Sequence, residues 1–119
     1  MNIEELREYC LSLKAATEHF PFDEMTLVVK VQGKMFGLIP LDNPETQITL
    51  KCDPERAIIL REEFSSILPA WHFNKKHWNT VVIDSSISKD LLYELIHHSY
   101  NLVVSGLPKK LREELDKHR

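Results

Sequence analysis

Met25-Thr-Leu-Val-Val-Lys-Val-Gln-Gly-Lys-Met-Phe-Gly-Leu-Ile-Pro-Leu41 is the stretch that decides the fold. Its first half repeats with period two: Met25, Leu27, Val29 and Val31 point one way, and Thr26, Val28, Lys30 and Gln32 point the other. Successive side chains of a strand alternate between faces, so this is the pattern of a half-buried β-strand. Gly33 can take the positive φ that a tight hairpin demands, and the run from Lys34 to Leu41 supplies the returning strand. Downstream, Asp42-Asn-Pro-Glu45 is turn chemistry, and Gln47-Ile-Thr-Leu-Lys-Cys52 alternates again with Ile48, Leu50 and Cys52 inward. Three consecutive strands with short links make an antiparallel meander, which helices cover on one face only.

The flanking segments supply those helices. Asn2 followed by Glu5 has the form of a reciprocal N-terminal cap, and Ile3, Leu6, Cys10 and Leu13 recur at helical spacing, predicting a helix over the first dozen residues. Thr17 to Asp23 reads as a connector: Pro21 removes a backbone donor and biases Phe20 towards an extended conformation, with Phe20 and Phe22 plugging the end of the core. After the meander, Asp53-Pro54 starts a helix whose stripe is Ala57, Leu60, Phe64, Ile67 and Leu68, closed by Pro69. A strand is expected from Trp78 to Asp84. Ser88 then caps a long helix with Leu92, Leu95, Ile96, Ser99, Leu102 and Val103 on one face, ending with Gly106 in the C′ position. Pro108 opens a last short helix in which Leu111 and Leu115 are the candidates for burial. The expectation is one α+β domain over residues 1–119: an antiparallel sheet of hairpins covered on one face by N-terminal, middle and long C-terminal helices. Ile48, Leu50, Leu60, Phe64, Val82 and Leu95 should share its core.

Composition narrows the function. A chain of 119 residues, 43% hydrophobic, builds one ordinary core. A net charge of −3 argues against coating nucleic acid by bulk charge, so any polyanion site must be local. Cys10 and Cys52 stand alone, without a metal-type spacing, and are expected reduced and buried. The start Met-Asn-Ile-Glu-Glu has neither a basic patch nor an apolar core, and no run reaches the roughly 18 apolar residues of a membrane span. The expected location is the cytoplasm, with no membrane contact. With three glycines there is no glycine-rich phosphate cradle, and no Gly-x-Ser-x-Gly elbow is present, so neither an enzyme nor a nucleotide cofactor is expected.

What is unusual is concentrated in Pro69-Ala-Trp-His-Phe-Asn-Lys-Lys-His-Trp-Asn-Thr-Val-Val-Ile-Asp84. His72 and His77 lie five apart and no cysteine is near, which favours polar loop histidines over metal ligands. His97 and His98 are adjacent in the long helix and point about 100° apart, which suits solvation better than chelation. Trp71 and Trp78 are expected to close the core beside the strand rather than stack on a ligand, and Asn74 fits a turn. Lys75 and Lys76 carry the best case for function, and Lys30, Lys34 and Lys51, on the polar side or tips of the strands, can extend them into a basic patch. The competing reading is that these lysines are simply solvated.

Pro69-Ala-Trp-His72-Phe-Asn74-Lys75-Lys-His77-Trp78 resembles the Pro-x-x-His-x-Asn-Lys-x-His-Trp signature of the MmcQ/YjbR-like family. Lys51-Cys-Asp-Pro-Glu55 looks like that family's lead into its middle helix, Lys30-Val-Gln-Gly-Lys-Met-Phe36 like its first hairpin, and Ser99-Tyr100 like the Ser-Tyr of its late helix. The resemblance implies a bacterial protein with a CyaY-like α+β fold and a double wing of two β-hairpins, for which DNA binding has been proposed. Taken with the basic patch, it gives the reading of a nucleic-acid module in which Lys34, Lys51, Lys75 and Lys76 meet phosphates while His72, Asn74 and His77 position the backbone or touch base edges. Binding to double-stranded DNA should then be weak and salt-sensitive. The alternative is a small scaffold, or a ligand- or protein-binding domain, in which the His-Asn-Lys-Lys-His-Trp loop is an internal hydrogen-bonded brace. An exposed lysine pair beside a concave surface favours the first; a buried loop with every polar atom paired favours the second.

Overall fold

The computed structural model describes residues 1–117. Asn2 begins it as an N-cap, its side chain accepting from the Glu5 amide at 2.9 Å, and α1 runs over Ile3–Leu11. The meander follows as expected, in β2 (Thr26–Val31), β3 (Lys34–Pro40) and β4 (Gln47–Lys51). Gln32 and Gly33 join the first pair with φ of 49° and 80°, the two positive values of a type I′ hairpin turn whose twist matches that of its strands. Asp53 caps α2 (Pro54–Glu63), and Ser88 caps α3 (Lys89–Ser105) by accepting from the Leu91 amide. The final helix α4 (Lys109–Lys117) buries Leu115, and the Gln32 amide reaches the Leu111 carbonyl at 3.3 Å.

Two strands escape the periodicity. Ala16–His19 is β1, an edge strand paired antiparallel with β2, where a connector is expected. Its sequence is polar and shows no apolar alternation, so its order comes from the ladder and from Arg7, whose guanidinium grips the Glu18 carboxylate at 2.6 and 2.7 Å. The α2 helix stops at Glu63, and Ile67–Pro69 forms β5 instead of continuing the helix. Leu60, Phe64, Ile67 and Leu68 keep helical spacing, but β6 (Trp78–Val82) has an open edge whose backbone groups need a partner. Pro69 tolerates the position because the strand is an edge.

The result is a six-stranded antiparallel sheet in the order β1-β2-β3-β4-β6-β5. Since β4 and β5 both run antiparallel to β6, they are parallel to each other, and α2 provides the long crossover that such a pair requires. The helices cover one face. There Ile48, Leu50, Leu60 and Leu95 are buried together, with Phe64 packed at the margin. Val82 is corrected: it pairs with Gln47 on the other side of the pleat, and its neighbour Val81 is the core residue. Phe20 and Phe22 do not plug the core but stand exposed, as does Met25, which precedes β2. Gly106 is the C-cap of α3 with φ of −89°, so it does not take the left-handed conformation expected of a C′ glycine. The helices are tied by stacked Tyr9 and Tyr93, with centroids 3.6 Å apart, and by the Arg56–Glu94 pair.

Candidate nucleic-acid interface

The loop between β5 and β6 is built around two main-chain turns. Asn74 accepts from the amides of His77 and Trp78 through its carbonyl, both at 3.0 Å, and from the Lys76 amide through its side chain at 3.0 Å. Asn74 is thus the turn residue its type favours. His77 is half-buried, and its carbonyl accepts from the Cys52 amide at 2.8 Å, fastening the loop to the start of α2.

What holds the loop down is a pair that the sequence did not single out. Arg61 of α2 donates to the Lys75 carbonyl at 3.0 Å and to the Asn79 side-chain oxygen at 2.8 Å; the Asn79 amide donates in turn to the Ala57 carbonyl at 3.3 Å. Asn79 is 2% exposed and both ends of its amide are satisfied, so Asn79 and Arg61 brace the loop together with the Asn74 turn and the His77 carbonyl. Period two does carry a signal here: Asn79 shares the inward face with Val81, and a buried amide needs partners. Nothing local marks Arg61.

With the backbone pinned, the side chains project outward. Trp71 is 67% exposed rather than closing the core, because Ala70 takes the buried position before it. The Lys75 ammonium sits 4.4 Å from the Trp71 ring centroid, a cation–π contact that holds both at the surface. Phe73 packs on half-buried Trp78 with centroids 5.5 Å apart, and His72, Asn74, Lys75 and Lys76 are exposed. Trp71, His72 and Phe73 form one wall of a groove of about 630 Å³ on the helix-free side of the sheet. Leu38, Thr49 and Thr80 lie in register across its floor, and Phe22 stands at its rim, 68% exposed.

Lys34 and Lys51 come together elsewhere. They line one depression of about 300 Å³ with Trp78 and Val103, where the β2–β3 hairpin meets the end of α3. Ser99 places Lys51: its buried hydroxyl donates to the Phe36 carbonyl at 2.6 Å and accepts from the Lys51 amide at 2.9 Å, which is a structural and not a nucleophilic use of the serine. Trp78 joins the two regions, touching Phe73 on one side and lining the lysine depression on the other. Lys30 is half-buried within β2, opposite Met35.

Four titratable groups away from the lysines serve the scaffold. Burial pushes the Cys10 thiol up to about 12, so it stays protonated at neutral pH, and the same cause raises Cys52. His98 is not solvated as expected: its Nε2 accepts from the Asp53 amide at 3.1 Å, and burial holds its pKa below the ordinary imidazole value. Hydrogen bonds from Ser66 and Ser86 hold the Asp84 carboxyl below its usual range. Among the described residues no helix is long and apolar enough to cross a membrane.

An antiparallel sheet with helices on one face and a polar-aromatic loop beside the other defines a class of small α+β proteins. The sequence profile of the family described as YjbR matches residues 11–102, and the chain belongs to that family. It is 33% identical over 115 residues to the protein YjbR of Escherichia coli (strain K12), covering 97% of this chain and 98% of that one. The protein YbdF of Escherichia coli O157:H7 is 37% identical over 107 residues, 90% of this chain and 88% of its own. Among solved structures, the Deinococcus radiodurans protein DR2400 superposes with a TM-score of 0.90 at 40% identity, covering 97% of this chain and 88% of that one. A Pseudomonas syringae protein gives a TM-score of 0.73 at 25% identity, over 86% of this chain and 98% of its own.

Proposed function

We propose that this protein is a non-enzymatic DNA-binding module that meets phosphates through Lys34, Lys51, Lys75 and Lys76. The observation that carries this reading is their state: among the described residues, none of these four ammonium groups is in an ion pair, although the chain has 18 acidic side chains. The ion pairs among the described residues fall on Arg7, Arg56, Lys89 and Lys109 instead. Lysines free of carboxylate partners, with Lys75 on the exposed Trp71 ring, are the arrangement in which a polyanion gains counterion release and loses little desolvation. His72, Asn74 and His77 serve this surface by shaping the loop and lining its edge. The net charge of −3 keeps the binding weak, because the long-range field repels what the local patch attracts.

Titration of labelled DNA, duplex and single-stranded, at several salt concentrations tests the proposal. The parent should bind at low salt and weaken steeply as salt rises. Replacing both Lys75 and Lys76 with glutamine should flatten the logarithmic salt slope by roughly 0.7–0.9 for each phosphate contact removed. A parent that shifts neither form of DNA at low salt overturns the reading.

A further inference from the structure

We infer that the groove on the helix-free face holds the unpaired bases of a single strand of DNA. This rests on the DNA-binding reading and adds to it which form of DNA is taken and where its bases lie. Trp71 and Phe22, 67% and 68% exposed, stand at the groove, and a soluble protein that leaves two large aromatic rings in water around one concavity keeps them for an occupant.

The chemistry of that occupant follows from what surrounds the rings. Lys75 lies on the Trp71 ring, so a cation is fixed at the same rim as the aromatic face, and Lys76 follows it in the exposed loop. A purely apolar ligand has no use for the ammonium groups, and a free phosphate has none for the rings. A nucleic-acid strand uses both, with phosphates on the lysines and flat base faces on the aromatics. A duplex does not fit this demand, because its base faces are already stacked on one another and it offers only sugar, phosphate and groove edges. Here the aromatic side chains stand on loops at the rim of the sheet, where bases splayed out of a single strand can reach them.

The floor between the rings is polar and partly tied within the protein. The Thr49 and Thr80 hydroxyls engage each other at 2.9 Å, and the Gln47 side-chain oxygen accepts from Asn43 at 2.8 Å. Each of these groups keeps hydrogen-bonding capacity in reserve, one threonine hydroxyl its proton and Gln47 its amide N–H groups, so the floor can meet the edges of splayed-out bases. The strand is DNA on the reading above, and the RNA arm of the test checks the sugar.

The test measures fluorescence anisotropy of labelled dT12, the same sequence as a duplex with dA12, and the matching RNA strand, all at low salt. Single-stranded DNA should bind at least about tenfold tighter than duplex. Trp71→Ala and Phe22→Ala should each weaken it about 5- to 100-fold, the effect of losing one stacked base. Both rings are exposed, so each variant should keep the parent's melting temperature, and Ile59→Ala, exposed on α2, should change nothing. Duplex bound as tightly as single strand, RNA bound more tightly than DNA, or unchanged binding by Trp71→Ala would each overturn this inference while leaving a DNA-binding protein. Absence of binding to every probe would remove the DNA-binding reading itself.

Discussion

Asn79 and Asn74 lie five positions apart, and their surroundings separate them completely. The Asn79 amide is buried between Arg61 and the Ala57 carbonyl, whereas Asn74 serves an exposed turn. Asn79→Ala should strand Arg61 and a buried carbonyl and cost about 1–3 kcal/mol, while Asn74→Ala should cost under about 1 kcal/mol; urea denaturation of both variants measures the difference. His98 makes a second residue-scale prediction. Its folded pKa lies below its unfolded value, so the native state binds fewer protons as the pH drops through that window. Its contribution to stability is therefore complete above the unfolded pKa of about 6.5 and is lost as pH falls through the folded one. Melting temperatures at pH 7.5 and pH 5.5 should fall more in the parent than in His98→Gln, which has no proton to gain.

At the scale of elements, the sheet is held together by close approach as much as by its ladders. A Cβ added at Gly37 would stand 2.8 Å from a Val29 methyl and 3.3 Å from the Ile48 terminal methyl, so β3 lies against its neighbours with no room for a side chain. The β-branched valine cannot swing away freely. Gly37→Ala should cost about 1–3 kcal/mol, read as a lowered urea midpoint with unchanged slope. Caps, the β2–β3 turn and the meander were legible because each is written in neighbouring residues: Asn2, Asp53 and Ser88 accept from amides three positions on. The strands β1 and β5 were not, since Thr17-Glu18-His19 has no apolar period and Ile67-Leu68 extends a helical one. Both form because a sheet edge beside them has unpaired backbone groups.

Taken whole, the molecule separates stability from recognition by face. Helices bury one side of the sheet, and the other carries the groove and the aromatic wall. The lysines proposed to meet DNA contribute little to folding on this account. Replacing Lys75 and Lys76 together with glutamine should leave the unfolding free energy within about 0.5 kcal/mol of the parent, by urea denaturation, even where DNA binding is lost. A larger loss would mean that the Lys75–Trp71 contact orders the loop rather than displays it.

The α+β class, the meander, the helix starts and the family can be read along the chain, as can the place of the distinctive loop with His72, Asn74, Lys75, Lys76 and His77 in it. These are properties of spacing and residue type, which act over a few positions along the chain. It takes the folded chain to leave Trp71, Phe20 and Phe22 facing water, to bring Lys34 and Lys51 into one depression with Trp78, and to set Arg61 and Asn79 as braces of the loop. Periodicity shows which side chains share a face, but whether that face is covered, and by which distant group a polar atom is satisfied, depends on partners far away in sequence.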